Sequence, residues 1–410
     1  MSDALPAMRY VETFVVEHEG QPHVCLADPT GLVNEQVLLS PHAYLVAASL
    51  DGERGLAQVQ EEFARHCNGV QLETEHIMRL VDSLDESGFL LSPRYFALAE
   101  AAARAYREAP HRALHHAGQS YPEEPENLRI FLERCFTGNG GPGPLPDQPG
   151  NGPPPRALIV PHIDFHRGAF AYAHGYKRLY EAGKPDTVII FGVAHMSGAT
   201  PFILTRKDFE TPFGVLPVAG ELVDELAAAC TWDPFEDELV HRTEHSIEFQ
   251  AVMLAYLFGP SVRIVPVLCG PMADEDDPGV RRVSPAVEPF LAACRAITGR
   301  ADERTMVLAG ADLAHVGQRF GDEFDIDDTI LAATAARDEE DLAEAAAGSA
   351  PAWYASVMKD DNQRRVCGLG CIYAMLKSVE GRHDGGQMLH YGYAPDPMGG
   401  IVSFATMAFP

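Results

Sequence analysis

Short apolar runs alternate with amphipathic segments from residue 156 to the end of the chain. The apolar runs predict buried strands at 157–160, 188–193, 202–205, 263–268 and 306–311, followed by an antiparallel pair at 387–393 and 400–408. Apolar residues at helical spacing predict helices at 170–181, 220–229, 246–258, 286–297, 325–336, 339–346, 351–358 and 368–377. Helices that connect buried strands favour a mixed, mainly parallel α/β sheet with helices on both faces.

The first 95 residues have a different pattern. Residues 8–28 alternate between apolar and polar positions, which predicts a β-hairpin. Three helices are predicted next, one beginning at Ser40-Pro41 and two spanning 56–66 and 74–87, and a short strand at 89–91 closes the region. We therefore predict an α+β domain of the winged-helix type at residues 1–95.

Two further segments differ from both patterns. An alanine-rich stretch from Arg94 to Leu114 predicts a helix, so that residues 96–114 form a helical connector after the first domain. Residues 138–155 consist mostly of proline, glycine and asparagine and predict an exposed, flexible loop without core residues.

The composition narrows the class of protein. Among 410 residues, 59 acidic side chains outnumber 31 basic ones, and the formal net charge is −28. Nucleic-acid affinity is largely cationic, so neither nucleic acid nor an anionic membrane is expected as a partner. No apolar run approaches the roughly 20 residues of a membrane span. The N-terminus lacks the pattern of a secretory signal, and the eight cysteines are scattered, so we expect a cytoplasmic protein without disulfides.

Three of the predicted strands are followed by a histidine. His162 follows strand 157–160, His195 follows strand 188–193, and Asp312-Leu-Ala-His315 follows strand 306–311. The carboxyl ends of parallel strands meet at one edge of a sheet, and ligands bind there, so these side chains are expected to converge. An acid three residues before a histidine could also orient the imidazole and hold its proton.

Two other segments carry reactive side chains. Cys367 stands at the predicted start of helix 368–377, a position that lowers a thiol pKa and suits a soft metal ligand or a nucleophile. His245 and Glu248 lie one turn apart, but their spacing is not the His-Glu-x-x-His of zinc proteases, and Glu244 with His245 could simply cap a helix. No G-x-S-x-G motif or glycine-rich phosphate loop is present, so hydrolase and nucleotide-binding functions lack support.

The first domain resembles the PqqD-like family. The resemblance lies in Leu39-Ser-Pro-His-Ala-Tyr-Leu-Val-Ala47, Leu50-Asp-Gly-Glu-Arg54 and Leu84-Asp-Glu-Ser-Gly-Phe-Leu90. It implies recognition of a leader peptide, as in ribosomal peptide-modifying systems, through a strand added to a sheet edge. A structural or dimerising winged helix is the alternative. DNA binding is disfavoured, because residues 1–110 contain 7 Arg/Lys against 17 Asp/Glu.

The rest of the chain resembles the Memo family, the B proteins of AmmeMemoRadiSam systems. Seven segments carry the resemblance, in the family's order: His116-Ala-Gly-Gln-Ser-Tyr-Pro122, Arg156-Ala-Leu-Ile-Val-Pro-His162, Ile190-Phe-Gly-Val-Ala-His195, Glu244-His-Ser-Ile-Glu248, Ile264-Val-Pro-Val-Leu-Cys-Gly270, Asp312-Leu-Ala-His-Val-Gly-Gln-Arg-Phe320 and Val366-Cys-Gly368. They cover residues 115–410 as one metal-binding catalytic domain, which makes residues 138–155 an insertion.

This second resemblance implies a fold like that of the class III extradiol dioxygenases, which hold non-haem iron with two histidines and a glutamate. In Memo proteins the corresponding site has two histidines and a cysteine, which implies His162, His195 and Cys367 as metal ligands. Asp312 and His315 match the nearby acid and the acid/base histidine, and His245 fits the pocket wall, so these three are the candidate catalytic residues. Family members are linked with iron and with copper; we expect Fe(II), with copper as the alternative.

The chain departs from the family pattern next to two of these ligands. Ile163-Asp-Phe-His166 replaces the usual Ala-Gly-Tyr after the first histidine, and Val193-Ala-His195-Met196 replaces a Pro-Ser/Asn-His-His run. Asp164 and His166 could therefore add ligands for a second metal. Glu248 is a further candidate for the metal site or the pocket.

Three functions follow as alternatives. The first is an oxygenase-type redox enzyme, in which the metal activates O2 and His315 acts as general acid/base on a small molecule or on a peptide side chain delivered by the first domain. The second is a non-catalytic metal- or peptide-binding scaffold, and the third is a metal-dependent hydrolase or C–C lyase. The Memo resemblance also implies radical SAM or other AmmeMemoRadiSam proteins as partners.

Overall fold

The structure is a computed structural model that describes residues 4–33, 35–196, 198–273, 282–300 and 304–410. The chain divides into two units, residues 1–109 and residues 110–410.

The first unit contains a three-stranded antiparallel sheet and four helices. The elements are β1 (Glu12–His18), β2 (Gln21–Ala27), β3 (Val37–Leu39), α1 (Pro41–Ala48), α2 (Leu56–His66), α3 (Thr74–Glu86) and α4 (Pro93–Glu108), with strand order β1-β2-β3. Glu19 and Gly20 both have positive φ, as the two-residue turn of a tight hairpin requires. The side chain of Ser40 accepts a hydrogen bond from the Ala43 amide at 3.2 Å and caps α1. The strand predicted at 89–91 is reduced to a single bridge between Leu90 and Met8.

The helix predicted from Arg94 to Leu114 ends earlier than expected. α4 stops at Glu108, and Ala109 is extended because the residue before a proline avoids the helical region. The chain then forms the short strand β4 (His111–Arg112) of the second unit. The helix prediction was wrong for these last residues, because Pro110 ends the helix despite the alanine-rich composition around it.

The second unit is built on an eight-stranded mixed sheet. Besides β4, the described strands of this unit are β5 (Ala157–Val160), β6 (Thr187–Val193), β7 (Phe202–Leu204), β8 (Asp208–Thr211), β9 (Gly214–Leu216), β10 (Arg263–Cys269), β11 (Thr305–Gly310), β12 (Asp312–Gly317), β13 (Gln387–Asp396) and β14 (Gly400–Phe409). The main sheet has the order β12-β14-β5-β11-β6-β10-β7, with β13 also paired to β14, and β4, β8 and β9 form a separate small sheet. β5, β11, β6 and β10 are parallel, and β7 and β14 are antiparallel to their neighbours.

Helices cover both faces of this sheet. They are α5 (Pro125–Thr137), α6 (Phe165–Ala182), α7 (Gly220–Ala228), α8 (His245–Phe258), α9 (Glu288–Thr298), α10 (Asp328–Ala346), α11 (Ala350–Val357) and α12 (Leu369–Ser378). Alternate residues of each central strand face opposite layers: Leu158 packs in the layer that contains α5, α6 and α8, and Ile159 in the layer that contains α7, α9, α11 and α12. The central strands are therefore apolar at nearly every position, as is typical of a sheet buried on both faces. The mixed, mainly parallel α/β fold class is confirmed.

The insertion at 138–155 contains no helix or strand and runs beside α6. Its backbone is bonded to that helix: Gly150 donates to the Tyr180 carbonyl at 2.8 Å, and Lys177 donates to the Pro142 carbonyl at 2.9 Å. The loop thus has a defined path along the surface of the second unit. In the part of the chain that the structure describes, no helix has the length and apolar character to cross a membrane.

Candidate metal centre

Three neighbouring strands each place a polar residue two positions beyond their last residue. His162 follows β5, His195 follows β6, and Asp312 follows β11, which lies between them. The three strands are parallel and in register, so the residues beyond their carboxyl ends meet at one edge of the sheet. The structure therefore brings together the strand-end residues predicted from the sequence.

Cys367 reaches the same edge from a segment between α11 and α12. Its Sγ lies 3.4 Å from His162 Nε2 and 3.7 Å from the Asp312 carbonyl oxygen. The close approach depends on the next residue, because a Cβ on Gly368 would stand 2.6 Å from the Ala311 Cβ and from the Asp312 carbonyl oxygen. Ligand atoms of His162, His195 and Cys367 all lie within 4.8 Å of one another.

The ring of His162 is held in one orientation. Its Nδ1 lies 2.8 Å from the Gly310 carbonyl oxygen, so Nδ1 carries the proton and the lone pair of Nε2 faces Cys367. Asp312 Oδ1 accepts the backbone amides of His162 at 3.0 Å and Ile163 at 3.3 Å. Burial lowers the pKa of His162 to about 3, which keeps the imidazole neutral, as a metal ligand must be.

Glu244 orients the second histidine. It precedes α8, caps that helix through the Ser246 amide at 3.0 Å, and accepts the His195 amide at 3.0 Å. Its Oε1 lies 3.0 Å from Nδ1 of His195 and 3.3 Å from Nδ1 of His245. Although burial lowers the pKa of His195, the carboxylate raises it well above its usual value, and metal binding there would release a proton. Despite its own burial, Glu244 has a pKa well below the usual value, because His195 and His245 face it.

The pKa of Cys367 does not follow the expectation from the sequence. α12 begins at Leu369, after Gly368, and the cysteine lies just outside the first turn. Burial raises the pKa of the thiol to about 11, so desolvation outweighs any effect of the helix end. The prediction of a lowered pKa was wrong for the isolated thiol. A metal ion would supply the charge that stabilises the thiolate.

His245 and His315 lie close to the three donors. The His245 ring stacks on His195 at 4.7 Å between centroids and meets the edge of His162 at 5.4 Å, and burial lowers its pKa well below the usual value. Nδ1 of His315 lies 3.1 Å from the Leu313 carbonyl oxygen, so Asp312 does not hold the proton of this ring as the sequence suggested. Burial also lowers the pKa of His315.

Asp312 supports His162 instead. Besides the two backbone amides, its Oδ2 lies 3.6 Å from His162 Nε2, and burial raises the pKa of the carboxyl to about 6. An irregularity in the pairing of β12 with β14 falls between Asp312 and His315. Residues three apart on a regular strand face opposite sides, and a bulge of this kind changes that orientation.

Asp164 and His166, where the chain leaves the family pattern, have other surroundings. Asp164 caps α6 through the Arg167 amide at 3.2 Å and pairs with the guanidinium of the same arginine. His166 is exposed, and its ring packs against Phe131. Neither belongs to a group of potential metal ligands within the described ranges. The geometry therefore does not favour a second metal at these two positions.

Glu248 is fully buried one turn into α8 and has no free acceptor position facing the cluster. It accepts hydrogen bonds from the guanidinium of Arg112, from the Tyr121 hydroxyl at 2.5 Å, and from the backbone amides of His115 and His116. Its carboxylate thus ties the segment after β4 to α8. It stands in no ligand group among the residues described, and the contacts indicate a structural role.

Glu244 is the residue of this cluster that the sequence analysis did not single out. It was considered only as a helix cap, which it is, but the same carboxylate also faces the imidazoles of His195 and His245. The signal was present, since an acid directly before His245 at a helix start combines a capping position with proximity to a strand-end site. The contrast in exposure is informative: 35% of the His195 side chain is exposed against 2% for Glu244, so the cluster opens to solvent on the His195 side.

The fold and the site together define a class of protein. It is an α/β domain in which the ends of parallel strands and a distant cysteine bring two imidazoles and a thiol together. This donor set suits borderline and soft metals. The model of the Memo-like protein family matches residues 112–408, and the chain belongs to the Memo family.

Relatives extend the comparison. A MEMO1 family protein of Aquifex aeolicus is 27% identical over 384 residues, covering 93% of this chain and 94% of the relative. That length exceeds the second unit, so the similarity continues into the first. A MEMO1 family protein of Methanopyrus kandleri is 29% identical over 299 residues, covering 72% of this chain and 96% of the relative. One from Thermus thermophilus is 32% identical over 274 residues, covering 66% and 74%.

Proposed function

We propose that the protein is a metal-dependent redox enzyme of the oxygenase type, with His162, His195 and Cys367 as the metal ligands. The observation that carries the proposal is the convergence of these three donors while Nδ1 of each imidazole is engaged by a backbone or side-chain acceptor. Two oriented imidazoles and one thiol fit iron or copper, and Fe(II) is the metal we expect first. Three protein ligands leave room for substrate and O2.

The roles of the surrounding residues follow from their contacts. A bound iron or copper ion would supply one-electron chemistry and electrostatic activation of a bound substrate. Gly310 and Glu244 keep the two ligand rings in place, and Asp312 holds the backbone that carries His162. Burial lowers the pKa of His315, so the imidazole is neutral near neutral pH and is the group that would accept a proton from a substrate.

Substrate access and delivery are the second part of the proposal. The solvent-exposed side of His195 admits a small molecule or an extended side chain. The first unit would recognise a leader peptide along an edge of its sheet, where β1 and β3 are the outer strands. A cavity of about 270 Å³ beside the end of β3, lined by His42, Phe63 and His76, would receive a side chain of that peptide. The eight cysteines are all unpaired, which suits the reducing cytoplasm we propose as the compartment.

Anaerobic purification followed by metal analysis tests the ligand assignment. We expect about one iron or copper per chain, and loss of that metal in the variant with His162→Ala, His195→Ala and Cys367→Ala. The matched control is Cys294→Ala, which removes a cysteine that is buried in α9. Metal that persists at full stoichiometry in the triple variant contradicts the proposed site.

Oxygen uptake and product mass test the reaction. The metal-loaded protein is exposed to O2 with candidate small molecules or peptides, and an oxygenase consumes O2 while it changes the mass of the substrate. Retained metal without oxygen uptake for any candidate would favour the scaffold function. Products of hydrolytic mass that form without O2 would favour the hydrolase or lyase function.

A further inference from the structure

A polar cavity of about 550 Å³ lies at the end of the main sheet opposite to the metal centre. Arg156 directly precedes β5, and Arg304 and Thr305 stand at the start of β11, whereas His162 and Asp312 follow the other ends of these two strands. The last prolines of the 138–155 insertion form one wall. The cavity is therefore separate from the metal centre, and ligand binding in it does not depend on that centre.

The lining of this cavity is basic. Its charged members are four arginines, and two threonines add hydroxyl groups: Arg156, Arg300, Arg304, Arg382, Thr298 and Thr305. The chain as a whole has 59 acidic and 31 basic residues. A cluster of guanidinium groups in such a protein would usually be neutralised by neighbouring carboxylates. Among the described lining residues there is no aspartate or glutamate.

Among the residues that the structure describes, the contacts of the arginines leave most of this charge uncompensated. Arg300 is neutralised, because its guanidinium bonds both carboxylate oxygens of Glu225. Arg304 donates to the carbonyl oxygens of Lys184 and Gly152, which fix its position without cancelling its charge. Arg382 donates to the Thr298 hydroxyl at 3.4 Å.

Across the described ranges of the chain, Arg156, Arg304 and Arg382 have no carboxylate partner within ion-pair distance. Like charges that face a shared cavity repel one another, and an anion between them would remove the repulsion.

Gly299 lies directly against one arginine of this cluster. A Cβ at this residue would stand 2.1 Å from both terminal nitrogens of Arg382, so the guanidinium lies directly against the backbone. The backbone at Gly299 is helical, with φ of −91°, and any residue could adopt it. The backbone conformation therefore does not require glycine, and a side chain at this position would have to displace the flexible guanidinium of Arg382.

We propose that this cavity binds a small molecule through a phosphate or pyrophosphate group, held by Arg156, Arg304 and Arg382. The planar donor fork of arginine matches phosphate oxygens in pairs, and several forks around one cavity suit a group with several charged oxygens. The volume falls within the range of small-molecule sites, about 300–1,000 Å³, and exceeds what a lone inorganic ion needs.

Calorimetric titration of the metal-free, full-length protein with pyrophosphate tests the proposal, with ionic strength held constant by sodium chloride. We expect one saturable site per chain and weaker binding of inorganic phosphate at the same site. Arg156→Gln and Arg382→Gln should each weaken pyrophosphate binding at least tenfold. Gly299→Ala should weaken it severalfold by moving a guanidinium without removing a charge. Arg206→Gln, at an exposed arginine paired with Asp224, is the matched control and should leave the affinity unchanged.

Other outcomes would overturn the assignment. They are the absence of saturation up to about 1 mM pyrophosphate, equal binding in the arginine variants, or tighter binding of citrate than of pyrophosphate. Binding that disappears in His195→Ala would place the anion at the metal centre instead. Circular dichroism and thermal unfolding confirm that each variant is folded before its affinity is compared.

Discussion

Replacing Glu244 by glutamine separates the charge of this side chain from its shape. The carboxylate accepts from the Ser246 amide, from the His195 amide and from Nδ1 of the His195 ring, and it lies 3.3 Å from Nδ1 of His245. An amide of the same size keeps one acceptor oxygen but loses the charge that holds the proton on His195 Nδ1. The Glu244→Gln variant should therefore bind metal less tightly while α8 remains capped.

The expected magnitudes follow from these contacts. Loss of the partner that orients a ligating histidine typically reduces metal affinity by 10–100-fold, about 1.4–2.7 kcal/mol. The remaining amide oxygen can still cap the helix, so we expect the free energy of unfolding of the metal-free protein to fall by about 1 kcal/mol. The loss in metal affinity should thus exceed the loss in stability.

Competition with a chromophoric chelator under anaerobic conditions measures the metal affinity, and chemical denaturation of the metal-free protein measures the stability. Asp327→Asn is the matched control, because Asp327 caps α10 through the Ile330 amide at 2.8 Å. This control should change stability slightly and metal affinity not at all. An unchanged metal affinity in Glu244→Gln, or an equal loss in both variants, would refute the role assigned to Glu244.

Three further predictions concern other residues. Gly368→Ala places a Cβ 2.6 Å from the Cβ of Ala311, so it should displace Cys367, lower metal affinity and destabilise the protein by about 1–3 kcal/mol in denaturation experiments. His315→Gln should reduce turnover by about 10²–10⁴-fold while the bound metal remains, as measured by steady-state kinetics and metal analysis. Burial would raise the pKa of Glu248, but Arg112 and other donors lower it to about 2. Its ion pair should therefore contribute about 3 kcal/mol of stability above pH 5, which is lost as the pH falls towards 2.

Each of these predictions has a control or a contrary outcome. Gly220→Ala adds a Cβ that meets no atom within 4 Å and should be neutral. Normal turnover in His315→Gln would remove that residue from the acid/base role. Glu248→Gln should flatten the loss of stability between pH 5 and 2, measured by urea denaturation at each pH. An unchanged pH profile in that variant would show that other carboxylates cause the acid instability.

The local pattern of apolar and polar residues was sufficient to predict most of the fold. β5, β6, β10 and β11 were predicted within about one residue, because strands buried on both faces are apolar at nearly every position and their short length favours a strand over a helix. α10 was predicted as two helices but is one from Asp328 to Ala346, since Asp338 between the predicted halves is buried within the helix and accepts a hydrogen bond from Arg364. β12 was not predicted, because its partner β14 lies more than 80 residues later in the chain.

The candidate site was likewise predictable only in part from the sequence. Histidines directly after buried parallel strands can be found from the sequence, because topology requires those strand ends to meet. Asp164 and Glu248 looked like ligands in the sequence, yet their oxygens are taken by Arg167 and by Arg112. Nothing in the local sequence shows which of several nearby acids faces a pocket and which faces an arginine from another element.

By itself, the sequence determined the strands, the α/β class, the edge of the sheet where a ligand would lie, and the resemblance to the Memo family. Only the tertiary structure decided that Cys367 contacts His162, that Glu244 orients His195, and that Asp312 supports the backbone of His162 rather than the ring of His315. The physical reason is distance along the chain. Hydrophobic periodicity and secondary-structure propensity depend on residues that are neighbours in the sequence. These contacts join residues from about 50 to 205 positions apart. The burial and orientation of the contacting side chains are set only when the helices and strands pack together.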